Sequence, residues 1–186
     1  MTKVFLVRHA HADFRPDEER PLSVGGAADA QRVAELLGSD PITAIYSSPS
    51  RRALQTIQPL AELLRLEPQI VADLRERELS TASVDDFHRK VEASWRAPDA
   101  AARGDEANSA AQGRALAVVG KVLEAWEGGS VVISTHGNLL SLILHGLDAS
   151  FGYDFWRSLT FPDVYELSFS GRSLSSVHRL WRPGGA

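Results

Sequence analysis

One short phrase occurs twice in this chain, and it restricts the fold more than any other feature. Lys3-Val4-Phe5-Leu6-Val7 runs into Arg8-His9, and Ser130-Val131-Val132-Ile133-Ser134 runs into Thr135-His136. Each is an apolar, β-branched run that stops on a histidine and is followed by small or polar residues and then a helical pattern. A continuous apolar run of this length reads as a strand buried on both faces, as in a parallel sheet. Ligands of open α/β sheets bind just beyond the carboxyl ends of such strands. Two imidazoles at two such ends are therefore expected to face one pocket, with Arg8 beside them. That arrangement suits an anion.

The pattern between the two phrases alternates strands with helices. Ser23 precedes a helical stripe of Ala27, Ala30, Val33, Ala34 and Leu37, with Gly38 as its stop. Ile42–Tyr46 reads as the second strand, and a helix from near Ser50 buries Ala53, Leu54, Ile57, Ala61 and Leu64. Pro59 lies inside that helix and is expected to kink or interrupt it. Gln69-Ile70-Val71 is a short third strand, and residues 85–95 read as a helix. Residues 106–126 read as a long helix with Ala110, Leu116, Val119, Val122, Leu123 and Trp126 inward. Residues 138–147 form the next helix, and residues 164–168 and 173–180 a closing hairpin about Gly171. The expectation is one α/β domain over residues 1–186, a three-layer sandwich with a largely parallel sheet flanked by helices.

Composition removes several classes of function. At 186 residues the chain suits one domain that buries roughly 70% of its unfolded surface. The net charge of −4 and the lack of a basic tract argue against nucleic acid as a partner. The absence of cysteine excludes disulfides, thiolate catalysis and zinc–thiolate sites. No His/Asp cluster has metal-ligand spacing, so neither a metal nor another cofactor is expected. No apolar run approaches membrane-spanning length, and the first strand begins almost at Met1, so a cytoplasmic chain without a signal peptide is expected.

Four phrases, in order along the chain, carry a family likeness. They are Leu6-Val7-Arg8-His9-Ala10, then residues 47–56 (Ser-Ser-Pro-Ser-Arg-Arg-Ala-Leu-Gln-Thr), Leu74-Arg75-Glu76, and Ser134-Thr135-His136-Gly137-Asn138. Together the chain resembles the histidine phosphatase superfamily, the branch that includes the cofactor-dependent phosphoglycerate mutases. The resemblance implies a phosphoglycerate mutase-like fold and phosphoryl transfer through a phosphohistidine on His9. It implies that Arg8, Arg52 and His136 bind the phosphoryl group, with Gly137 beside it. Arg52 rather than Arg51 matches the family's Arg-Ala-x-x-Thr phrase, and Glu76 rather than Glu78 matches its proton donor. Residues 20–23, Arg-Pro-Leu-Ser, are similar to the short bacterial phosphohistidine phosphatases, which makes Arg20 and Ser23 candidate substrate contacts.

These residue types suit the chemistry on physical grounds. A phosphomonoester carries up to two negative charges, and its transfer needs an in-line nucleophile with cations about its equatorial oxygens. Arginine offers a planar fork that fits phosphate oxygens. A neutral imidazole attacks phosphorus and splits hydrolysis into two easier steps. A carboxylic acid protonates the departing oxygen and then, as carboxylate, activates water.

The chain also departs from the family pattern. Ala10 replaces the usual glycine, and the asparagine that commonly follows is either Arg15 or has no equivalent. No mutase clamp is recognisable. A metal-independent phosphomonoesterase acting on a small molecule or a phosphohistidine protein is the leading expectation. A mutase-type phosphoryl transfer, a protein phosphohistidine phosphatase and a non-catalytic phosphate-ester binding module are the alternatives. His11, His88, His145 and His178 read as structural or exposed, and Trp95, Trp126, Trp156 and Trp181 as core or pocket wall.

Overall fold

The computed structural model describes residues 1–13, 20–80 and 83–184. Strands Thr2–Arg8 (β1), Ile42–Ser47 (β2), Gln69–Ile70 (β3), Ser130–Thr135 (β4), Asp163–Ser170 (β5) and Ser173–Arg179 (β6) form one sheet. Their spatial order is β3-β2-β4-β1-β5-β6. The first four in that order are parallel neighbours, while β5 runs antiparallel to β1 and β6 antiparallel to β5. Strand β1 is therefore internal, with β4 on one side and β5 on the other.

Alternation along the central strands sends side chains into two cores. Phe5, Val7, Ile45 and Val132 meet helices Val24–Leu37 (α1) and Arg51–Leu64 (α2) through Val33, Leu37, Ile57 and Leu60. Val4, Leu6, Val131 and Ile133 face the opposite layer. That layer holds helices Val84–Arg96 (α3), Asn108–Ala125 (α4), Gly137–Leu147 (α5) and Tyr153–Ser158 (α6). Phe5, Leu6 and Ile133 are fully buried, and each such side chain contributes about 1.5–3 kcal/mol relative to exposure. The expected three-layer α/β arrangement is present, with the sheet mostly parallel. No helix among the described residues is long and apolar enough to cross a membrane.

Four details differ from the sequence reading. Helix α2 runs through Pro59 without interruption, with Ile57, Leu60 and Ala61 buried on either side of it. The inner stripe of α1 is Gly26, Ala30, Val33, Ala34 and Leu37, and Ala27 is exposed. Gly26 explains the phase: a Cβ there would lie 2.0 Å from the His11 carbonyl oxygen, so this face must turn inward. In α4, Ala111, Ala115 and Val118 are buried and Ala110 is exposed. Asn108 sets that phase, since it is buried and its Nδ2 donates to the Ser94 carbonyl at 3.1 Å. Finally, α6 was not read from the sequence, and Val71 lies outside the short β3.

Candidate active site

The carboxyl ends of β1, β2 and β4 converge at one edge of the sheet, and their loops are tied to one another. His9 N donates to the Thr135 carbonyl at 3.0 Å, and Ser48 N to that of Ser134 at 3.0 Å. Thr56 Oγ1 accepts from Ala10 N at 2.9 Å and donates to the Arg52 carbonyl at 2.7 Å, which fastens the His9 loop to α2. Ser134 Oγ donates to the Ala53 carbonyl at 2.9 Å. The backbone around the two histidines is thus held by side chains from its neighbours.

His9 and His136 face each other as the two strand ends imply, with ring centroids 5.1 Å apart. Arg52 lies between them: its Nε donates to His9 Nε2 at 3.2 Å, and its Nη2 is 3.1 Å from His136 Nδ1. Arginine only donates, so both of those ring nitrogens accept. His9 then carries its proton on Nδ1, donated to the Ala10 carbonyl at 2.8 Å. His136 carries its own on Nε2, 2.8 Å from Ser48 Oγ. His9 Nε2 therefore keeps its lone pair, in the tautomer that a nucleophile requires.

Electrostatics favour the same state. Burial lowers the His9 pKa from 6.5 to about 3, the Ala10 carbonyl opposes that shift, and the charges of Arg52, Arg8 and Arg20 add to it. Fully buried His136 is held well below its ordinary value by burial first, then by His9 and by Arg52, Arg8 and Arg114. Both imidazoles are neutral at neutral pH.

Arg8 completes the cationic wall. Its Nη1 donates to the Thr160 carbonyl at 3.2 Å, while its Nε is buried and donates to no group among the described residues. Burial brings its pKa down to about 10, against the opposing pull of Glu76 and Asp163, so it remains charged at neutral pH. A Cβ on Gly137 would come within 3.0 Å of Arg8 Cζ, Nε and Nη2, so glycine there makes room for the guanidinium. On its other side Arg8 lies against the Phe161 ring, 3.5 Å from the centroid, and that ring is 5.4 Å from the His9 ring.

Glu76 reaches the start of α5. Its Oε2 accepts from Asn138 N at 3.0 Å, and its Oε1 from Leu139 N at 3.0 Å and Arg77 N at 2.9 Å. The carboxylate thus serves backbone donors of the first helical turn, immediately after His136. Glu78, the competing acid, is 65% exposed at its side chain and contacts Arg75. Arg51 is exposed, whereas Arg52 spans the histidines.

The other sequence-predicted contacts fall unevenly. Arg20 is half-buried and close enough for its charge to act on His9. Ser23 is instead the N-cap of α1: its Oγ accepts from Gly26 N at 3.0 Å and lies 2.9 Å from His11 Nδ1. Gly137 serves Arg8, as above. Arg15 lies outside the described residues. Among the described residues no group of three or more His, Cys, Asp or Glu side chains is placed to hold a metal ion.

The sequence reading missed Phe161, Thr160 and the carboxylate beneath them. Asp163 is fully buried, pairs in register with Arg8, and accepts from Arg179 Nε at 2.9 Å and Nη2 at 2.7 Å. It also accepts from Thr160 N at 3.0 Å, which fixes the segment that carries Phe161. Arg8-His9 lay in a recognised phrase, but nothing in the sequence marks a partner segment beginning 152 positions away.

With this geometry in view, the comparisons fall into place. A family model described as histidine phosphatase superfamily (branch 1) matches residues 4–177. The chain belongs to that superfamily. It is similar to Bacillus stearothermophilus YhfR, with a TM-score of 0.76, 26% identity, and 94% and 95% of the two chains covered. It shares its fold with a mycobacterial glucosyl-3-phosphoglycerate phosphatase, at TM-score 0.75 and 22% identity over 95% of this chain and 96% of that one. It shares it equally with a phosphoserine phosphatase mutant from Entamoeba histolytica, at TM-score 0.76 and 18% identity over 95% and 96%. In sequence, an alignment of 85 positions that covers 42% of this chain is 35% identical to the probable phosphoglycerate mutase GpmB of Proteus mirabilis (strain HI4320). The match covers 39% of that relative's length.

Proposed function

We propose that this protein is a metal-independent phosphomonoesterase that works through a phosphohistidine on His9. The observation that carries the reading is the unprotonated Nε2 of His9, directed at Arg52 opposite a second neutral imidazole. Nε2 attacks phosphorus, a P–N bond forms, and the P–O bond to the leaving alcohol breaks. Arg52, Arg8 and His136 hold the equatorial oxygens. The buried Nε of Arg8 gains an acceptor when an anion arrives. Two incoming negative charges also favour protonation of His136, reversing the field that keeps it neutral.

Glu76 gives its proton to the departing oxygen. As carboxylate it takes one from the water that attacks the phosphohistidine, and inorganic phosphate leaves with His9 restored. Arg20 adds positive charge near His9.

The likeness to a probable phosphoglycerate mutase supports a second reading, in which the phosphoryl group is returned to substrate rather than given to water. One experiment separates the two. The purified protein is mixed briefly with a labelled phosphomonoester in the presence of a chelator and quenched without acid. A label stable to alkali but lost in acid, absent from His9→Ala, is expected together with net phosphate release. Interconversion of 2- and 3-phosphoglycerate outpacing that release would favour the mutase. Label retained in His9→Ala, or turnover abolished by the chelator and restored by a divalent metal, would overturn both.

A further inference from the structure

Arg8 and Phe161 belong to two surfaces at once. They face His9, and they also line a cleft of about 760 Å³ whose other walls include Phe87 and His88 of α3 and Tyr153 and Trp156 of α6. The rings support one another around Trp156. Tyr153 stacks on it with centroids 5.6 Å apart and planes at 16°, while Phe87 and His88 lie 6.1 and 6.0 Å away. The volume is that of a small-molecule site, and Val84, Phe87, Tyr153, Trp156, Leu159 and Phe161 give it apolar surface beside His88 and three charged side chains. Glu92 and Arg157 also line the cleft; Glu92 pairs with Arg96 of its own helix, and the Arg157 guanidinium lies 5.9 Å from the Tyr153 ring centroid.

We infer that this cleft takes the leaving alcohol and selects phosphomonoesters whose alcohol carries an apolar ring over small, carboxylate-bearing ones. The inference rests on the phosphatase reading and adds the substrate class. The phosphoryl end is fixed by Arg52 and the two histidines, so the ester oxygen and its substituent must occupy space that adjoins them. The aromatic cleft adjoins them through Arg8 and Phe161. A ring placed there covers the Trp156 and Phe161 faces, which a glycerate or serine body would leave wet. The 44% exposure of Phe161 is surface that a bound ring would remove from water.

The test compares esters of matched leaving group. 2-Phenylethyl phosphate and ethyl phosphate both release a primary alcohol, so a difference in kcat/KM reports the ring rather than the chemistry. The ring-bearing ester is expected to be better by about 10-fold or more, and better than 3-phosphoglycerate. Trp156→Ala should bring the ratio toward one. Trp156→Leu, which keeps apolar bulk, should do so less, and thermal unfolding of each variant shows whether it is folded.

In parallel, binding of 2-phenylethylphosphonate and of methylphosphonate to the unmodified protein is measured by calorimetry. Equal turnover of the two esters, or a preference for 3-phosphoglycerate, would overturn the inference and leave the phosphatase reading standing. If neither ester turned over, the phosphatase reading would fail. The phosphonates would then decide the cleft: tighter binding of the ring-bearing one, lost in Trp156→Ala, supports it, and equal affinity overturns it.

Discussion

At Glu76 both carboxyl oxygens are held by backbone donors from Arg77, Asn138 and Leu139, and the proposed chemistry asks the same group to give up a proton. Glu76→Gln keeps the size, removes the acid, and turns one acceptor into a donor facing an N–H. Turnover of an alkyl phosphate should fall by about 10²–10⁴-fold, and that of p-nitrophenyl phosphate, whose leaving group needs little help, much less. The lost acceptor should also cost about 1–3 kcal/mol of stability, read in denaturant unfolding. Equal losses on both esters would reduce Glu76 to a helix cap. Glu78→Gln should change neither measurement. The Leu-Arg-Glu phrase singles out Glu76, and the fold brings that acid, rather than Glu78, to the start of α5. The cap was not legible, because it depends on where α5 begins in space. Ser23 shows the reverse case: the same serine that read as a helix start also read as a substrate contact, and the fold uses it for the helix.

Among the elements, the first turn of α5 gathers the most contacts of the candidate site. It follows His136, receives the Glu76 carboxylate, and passes Arg8 through the space that Gly137 leaves open. Gly137→Ala tests that last point. The added methyl sits 3.0 Å from three guanidinium atoms, which must give way by a few tenths of an ångström. Alanine is the better helix former by about 1 kcal/mol, so the fold should tolerate the change. The expected result is a fall in kcat/KM of roughly 10²-fold with a thermal midpoint near that of the unmodified protein. An unchanged kcat/KM would show that Arg8 can be moved without consequence. The strands that end at His9 and His136 were plain in the sequence, since an unbroken apolar run has few other readings. The phases of α1 and α4 were not, because a close backbone approach at Gly26 and one buried amide at Asn108 decide them. Helix α6 is too short to show a period, and Phe161 lies in the segment that follows it.

For the molecule as a whole, two buried neutral histidines make stability depend on pH. In the folded state His9 takes up a proton only near pH 3, whereas an unfolded histidine does so near 6.5, and His136 is shifted in the same direction. Below about pH 6.5 the unfolded chain binds protons that the folded chain refuses. This contribution is complete above that value and is lost progressively as the pH falls toward 3. Thermal midpoints of the unmodified protein should therefore drop between about pH 7 and 4.5, and those of His9→Gln should drop less. Parallel profiles for the two proteins would show that His9 is not held neutral by the fold.

The internal place of β1 has a consequence for how such a chain is made. Phe5, Leu6 and Val7 find their sheet partners among residues 132–134 and 164–166, on strands β4 and β5. On a ribosome that strand waits, unpaired, while more than a hundred residues are added behind it. Pairings this distant in sequence close late and slowly. His9 is thus made long before the strands that complete its surroundings. A nascent fragment that stops short of Thr160 lacks the carbonyl that Arg8 binds and the Asp163 carboxylate that holds Thr160 in place. The candidate site is assembled with the closing of the sheet, and not before it.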